Sequence, residues 1–162
     1  NTEFNFINSG FNLRPLDLTA AIGLNQLKRL NKSIKIRTAN RDKIVSSILR
    51  SSKWNNQFMF LKPEKNLKPS WFGIPILLNK KFLKNKKSFL NKLNKNGIET
   101  RPIISGNFLN QPSIDLYKLN KSKEKFSVAQ EIENRGFFIG LHTKNIKEKE
   151  IIKLTNNLLS IN

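Results

Sequence analysis

The sequence offers few side chains for covalent or acid–base chemistry. Its one histidine, His142, sits between Leu141 and Thr143 at the predicted end of a strand. Strand ends are where sites open in α/β folds, so this imidazole is a candidate general acid or base; an ordinary surface or capping role suits the same position. Two short segments carry anion chemistry. In the turn Gly10 to Pro15, the amide of Asn12 and the guanidinium of Arg14 precede a helix, a placement that suits a phosphate and equally an ordinary helix-entry loop. In Glu99 to Asn107, a strand-end Arg101 runs into a Gly106-Asn107 turn, fit for an anion or hydroxyl-rich ligand, or for a salt-bridged strand and a plain turn. Asp115, Glu131 and Glu133 show no spacing that demands a carboxylate pair, and no nucleophilic triad, P-loop or dinucleotide glycine pattern occurs. With no cysteine and one histidine, disulfides, thiolate sites and a typical zinc site are excluded, and no metal is expected.

The elements that must position these groups follow from hydrophobic spacing. From Asp17, with Pro15 ahead, Leu18, Ala21, Ile22, Leu24 and Leu27 recur at helical intervals; Ile34, Ile44, Val45, Ile48 and Leu49 continue the pattern past a joint near 30–33. This predicts a helical pair or one long bent helix. Trp54 to Leu61 and Trp71 to Leu78 read as strands, the second pushed toward an edge or a bulge by Pro75. A lysine-rich amphipathic helix over 80–96 ends at Gly97, and a strand over 98–104 follows. A long polar connection covers 105–125. A helix over 126–134, a strand over 137–141 and a helix over 146–161 complete a β-β-α-β-α-β-α order behind a helical entry. The fold class is α/β, a small sheet with helices packed on it. Residues 1–52 are expected to bridge from a preceding domain, and 53–162 to form the small C-terminal domain.

The chain has 162 residues and a formal charge of +19, from 30 Lys+Arg against 11 Asp+Glu. Such a balance raises a basic module for nucleic acid or acidic polymers as an alternative function. The kind of basic residue argues against it: Arg is scarce, and Lys rises together with Asn and Ile, as an A+T-rich coding sequence produces. Lysines are also strung along predicted helix faces without stacking aromatics, so a solvated surface is the better account. No stretch spans a bilayer and the first residues lack the form of a signal peptide, so no membrane partner and a cytoplasmic location are expected.

Longer runs carry a resemblance. GFNLRPLDLTAAIGLNQLKRL with Arg37, Asn40 and Arg41 behind it, then PSWFGIPILL, GIETRPIISGNFLNQP and NRGFFIGLHT, resemble in order and spacing the later blocks of the DegT/DnrJ/StrS family of sugar aminotransferases. The Arg-Pro-x-x-x-Gly-Asn-Phe wording looks closest to a subgroup that includes sugar 3-dehydratases. The resemblance implies the C-terminal portion of a fold-type-I enzyme that uses pyridoxal or pyridoxamine phosphate on a nucleotide-linked keto-sugar, for surface polysaccharide building blocks. It implies a homodimer, and glutamate as amino donor where the reaction is aminotransfer. Asn12 would reach the phosphate of the neighbouring subunit's cofactor and Arg14 would sit near that phosphate or the substrate diphosphate. Arg101, Asn107 and His142 would lie toward the cleft. The catalytic residue, a Lys in aminotransferases or a His in dehydratases, is expected upstream of residue 1, so the chain would be inactive alone.

Overall fold

The computed structural model describes residues 16–116, 118 and 126–161, and packing divides the chain into two units, Asn1–Lys32 and Ser33–Asn162. In the first unit the described residues are the opening turns of helix α1, Asp17–Arg50, with Leu18, Ile22, Leu24 and Leu27 exposed. The helix is continuous. No proline or glycine stands at 30–33 to interrupt it, and the i→i−4 ladder simply runs through the expected joint.

The second unit is built on a four-stranded antiparallel sheet in the order β1-β2-β4-β3: β1 Phe58–Phe60, β2 Gly73–Leu78, β3 Thr100–Arg101 and β4 Gly136–Gly140. Between β2 and β3 a 3-10 segment Lys80–Asn85 leads into α2, Lys86–Lys95. After β3 come a 3-10 turn Phe108–Asn110, α3 Pro112–Leu116 and α4 Ser127–Arg135; α5, Glu148–Leu158, follows β4. Thus the long polar connection holds two short helical pieces among its described residues.

One face of the sheet is the core. Ile74, Ile76 and Leu78 alternate inward on β2, beside Ile139 and Phe137 of β4 and Phe58 of β1, all buried. Ile44 and Ile48 of α1, Phe89 and Leu93 of α2 and Leu158 of α5 join them in one cluster. The four-residue steps of α1 and α2 give each helix a single apolar stripe, which is why they lie on the sheet. Gly97, at φ +79, ends α2 as its position implied.

Two strands differ from expectation. β2 is an interior strand, not an edge. Phe72 C=O accepts from Leu141 N–H on the β4 side, and Asn79 N–H donates to Gln57 C=O on the β1 side, so Pro75, in step with Asn79, turns its ring nitrogen toward β1. The β1 ladder ends at Phe60↔Ile76, one residue short, so the missing donor breaks no bond. The strand expected over 98–104 shrinks to Thr100–Arg101 because Pro102 has no N–H and Ile104 (φ +48) and Gly106 (φ +62) turn the chain away.

Candidate functional site

The end of β4 and the start of α5 close around a cleft of about 670 Å³, lined among others by Arg101, Phe72, Phe138, Asn40, His142 and Lys147. Arg101 pairs in register with Phe138 across β3 and β4, and the Phe72 and Phe138 rings lie 5.9 Å apart, so one wall is aromatic and carries a guanidinium. Arg101 is 60% exposed and donates from Nε to Glu99 Oε1 at 2.8 Å. A pair this open contributes about 1 kcal/mol or less, so an incoming anion can take the guanidinium at small cost.

His142 begins the turn into α5. Its Nδ1 accepts from Lys144 N–H at 3.1 Å, which leaves Nε2 to carry the hydrogen in the neutral ring. The turn is held from below by Asn40, 2% exposed on α1. Its Nδ2 donates to the carbonyls of His142 (3.2 Å) and Lys144 (2.7 Å), and its Oδ1 accepts from Ile146 N–H (3.1 Å). α5 then starts at Glu148, later than the spacing implied, because Lys147 N–H is capped by Glu150 Oε2 at 2.7 Å.

Cations exceed anions here. Arg101, Lys144 and Lys147 line the cleft with two carboxylates, Glu99 and Glu150, and each of these already accepts a hydrogen bond within the chain. This donor set fits a phosphate or diphosphate. Among the described residues no group of His, Cys, Asp and Glu is arranged to hold a metal ion.

Asn107 lies elsewhere. It is 3% exposed, caps the 3-10 turn through Oδ1 to Leu109 N–H, and donates from Nδ2 to Gln130 Oε1; it does not line the cleft. Its own N–H, with Asn110 Nδ2, goes to Glu133 Oε2 on α4. So Asn107 shapes the loop that follows Arg101. Within that loop Ile104 is 87% exposed at φ +48, an unfavourable conformation for a β-branched residue. Asn12 and Arg14 lie outside the described residues. The cleft thus brings together Arg101 and His142.

Sequence reasoning passed over Asn40, seen only as a residue trailing a motif. The signal was there: Asn40, Ile44 and Ile48 repeat at intervals of four, so the amide falls on the apolar stripe, where an unpaired polar group is costly and a partner must exist. Arg41 beside it is also structural. It donates to Leu61 C=O at 2.6 Å and lies 4.5 Å from the centre of the Trp71 ring.

Comparison with known proteins agrees with this architecture. The chain is 30% identical over 157 residues to a GDP-4-keto-6-deoxy-D-mannose 3-dehydratase of Yersinia pseudotuberculosis, covering 97% of this chain and 38% of the relative. A protein of the same description from Escherichia coli O55:H7 is 30% identical over 140 residues, 86% of this chain and 34% of the relative. The chain therefore spans little more than a third of the curated relatives it matches. The solved E. coli dehydratase with bound hydrated PLP superposes with a TM-score of 0.76 at 28% identity, over 96% of this chain and 38% of that one. A sugar aminotransferase from Micromonospora echinospora shares the fold, with a TM-score of 0.71 at 13% identity over 93% of this chain and 37% of that one. The small antiparallel sheet with its helices is the C-terminal domain of fold-type-I enzymes, and with a family model matching residues 1–158 the chain belongs to the DegT/DnrJ/EryC1/StrS aminotransferase family.

Proposed function

We propose that this chain is the C-terminal part of an enzyme that uses pyridoxamine or pyridoxal phosphate to remove the C3 hydroxyl of a nucleotide-linked 4-keto-6-deoxy sugar, for lipopolysaccharide or other surface polysaccharide. The observation that carries the reading is the cleft at the sheet's edge, where Arg101 and His142 meet in a chain 30% identical to two GDP-4-keto-6-deoxymannose 3-dehydratases. Arg101, with Lys144 and Lys147, would hold the diphosphate, the Phe72–Phe138 wall would take an apolar face of the ligand, and His142 would bond a sugar hydroxyl through Nε2.

The cofactor, when bound, supplies the electron sink for chemistry at the sugar carbons. Asn12 would reach its phosphate across a homodimer, and Arg14 the same phosphate or the substrate's. The anchoring residue would belong to the preceding domain, which leaves this chain inactive alone. In support, the one lysine among the described residues whose pKa burial lowers, Lys86, donates its Nζ to the Glu133 and Asn134 carbonyls at 3.2 and 2.8 Å and is not free to anchor anything. The compartment would be the cytoplasm; no helix among the described residues is long and apolar enough to cross a membrane.

The test incubates the full-length protein with pyridoxamine phosphate, glutamate and GDP-4-keto-6-deoxymannose. A 3-deoxy-4-keto sugar supports the proposal. A 4-amino sugar would reassign the protein to aminotransfer, the other reaction that the family resemblance allows, and an unchanged substrate would overturn both readings.

A further inference from the structure

Asn40 and His142 are 102 residues apart in sequence, yet a chain of hydrogen bonds joins them. The Asn40 amide donates to the carbonyls of His142 and Lys144 and accepts from Ile146 N–H, while Lys144 N–H donates to His142 Nδ1. Each end of the turn is therefore fixed to one buried group, and the residue between them selects the ring tautomer. We infer that Asn40 is a positioning residue for His142: through Lys144 it holds the imidazole at the cleft with Nδ1 as acceptor and Nε2 protonated. The functional half of this inference rests on the proposed role of His142 toward the sugar.

The amide is specific to the task. The turn offers two carbonyl oxygens and one N–H to a single side chain, and a carboxamide answers with two N–H donors and one oxygen. A carboxylate of the same size would set oxygen against both carbonyls, and an alkyl group would leave three backbone groups unpaired near the core. A purely structural account would need only the Asn40 bonds to the backbone. It gives no reason for Lys144, the residue held at 2.7 Å, to be the one that bonds the ring.

Nitrogen-15 NMR of the imidazole in the intact chain, at a pH where the ring is neutral, tests this without any substitution. The expected spectrum has Nδ1 unprotonated and Nε2 protonated; the opposite tautomer, or rapid exchange between the two, would overturn the inference. In Asn40→Asp the tautomer preference should collapse and the Lys144 amide should exchange at least about tenfold faster, as its hydrogen bond to the ring is lost. A folded Asn40→Asp with the wild-type ring pattern would refute the link. In the full-length holoenzyme, Asn40→Asp and His142→Gln should each lower kcat/KM about tenfold, and the double variant no further, because one acts through the other. Additive losses would overturn the positioning role. A silent His142→Gln would instead remove His142 from the proposed function, and with it the functional half, while the ring spectrum still scores the hold of Asn40 on the imidazole.

Discussion

Arg101 is a residue whose charge the cleft can offer cheaply, since its partner Glu99 is also exposed and both contacts are to one carboxylate oxygen. Arg101→Ala in the full-length enzyme should raise KM for the nucleotide-sugar about tenfold or more, the scale of a charge-assisted hydrogen bond, with little change in thermal stability. Steady-state kinetics beside a melting curve separate the two effects, and an unchanged KM would remove Arg101 from the binding site. Glu131 is a residue of the opposite kind. Hydrogen bonds from Arg135, and then from Lys80, hold its carboxyl below the usual carboxylate range. Its contribution to stability is complete above the ordinary glutamate pKa and is lost as pH falls through the lowered value. Glu131→Gln should therefore flatten the acid limb of stability against pH in denaturant titrations by lowering the neutral plateau, and leave the acid end almost unchanged.

At the scale of elements, the loop from Pro102 to Gln111 is fixed by α4 more than by its own turns. Gly106 stands so close that an added Cβ would meet Glu133 Cβ at 2.6 Å, and its φ is +62, so Gly106→Ala should cost about 2 kcal/mol or more by urea denaturation. The neighbouring Ile104 has the same left-handed turn without the contact, and Ile104→Gly should be neutral or stabilising by up to about 1 kcal/mol. Lys86 closes the C-terminal end of α4. Burial lowers its pKa, with Glu133 opposing, so the unfolded chain binds more protons just below the ordinary lysine value and stability should rise with pH there. Lys86→Met should abolish that rise and cost about 1 kcal/mol at neutral pH by uncapping two carbonyls, both readable in pH-resolved melts.

At the scale of the whole molecule, the element order behind the helical entry was legible because period 3.6 and period 2 segments alternate cleanly along the sequence. Three things were not. The length of β3 depends in part on the left-handed turns at Ile104 and Gly106, which lead into a loop whose Asn107 N–H is held by Glu133, a contact 26 residues away. The interior place of β2 depends on where β1 stops. The site was half legible: Arg101 and His142 stood out as breaks in a Lys/Asn background, whereas Asn40 acts through backbone atoms a hundred residues on, which no local window contains. The charge of +19 meanwhile has no stacking aromatic face to accompany it at the cleft beyond one Phe pair. DNA binding by the chain should be weak at physiological salt; submicromolar binding that falls steeply with added salt, as counterion release requires, would revive the basic-module reading. One further consequence attaches to Pro75. β1 and β3, the outer strands, are three and two residues long, and the stretch of β2 left uncovered beyond Phe60 presents a ring nitrogen where a foreign strand would need a donor. In a chain with so many β-branched and aromatic residues, Pro75 thereby removes one donor that a second copy would need there, and Pro75→Val should shorten the lag of fibril growth under mildly destabilising conditions while leaving the fold in place.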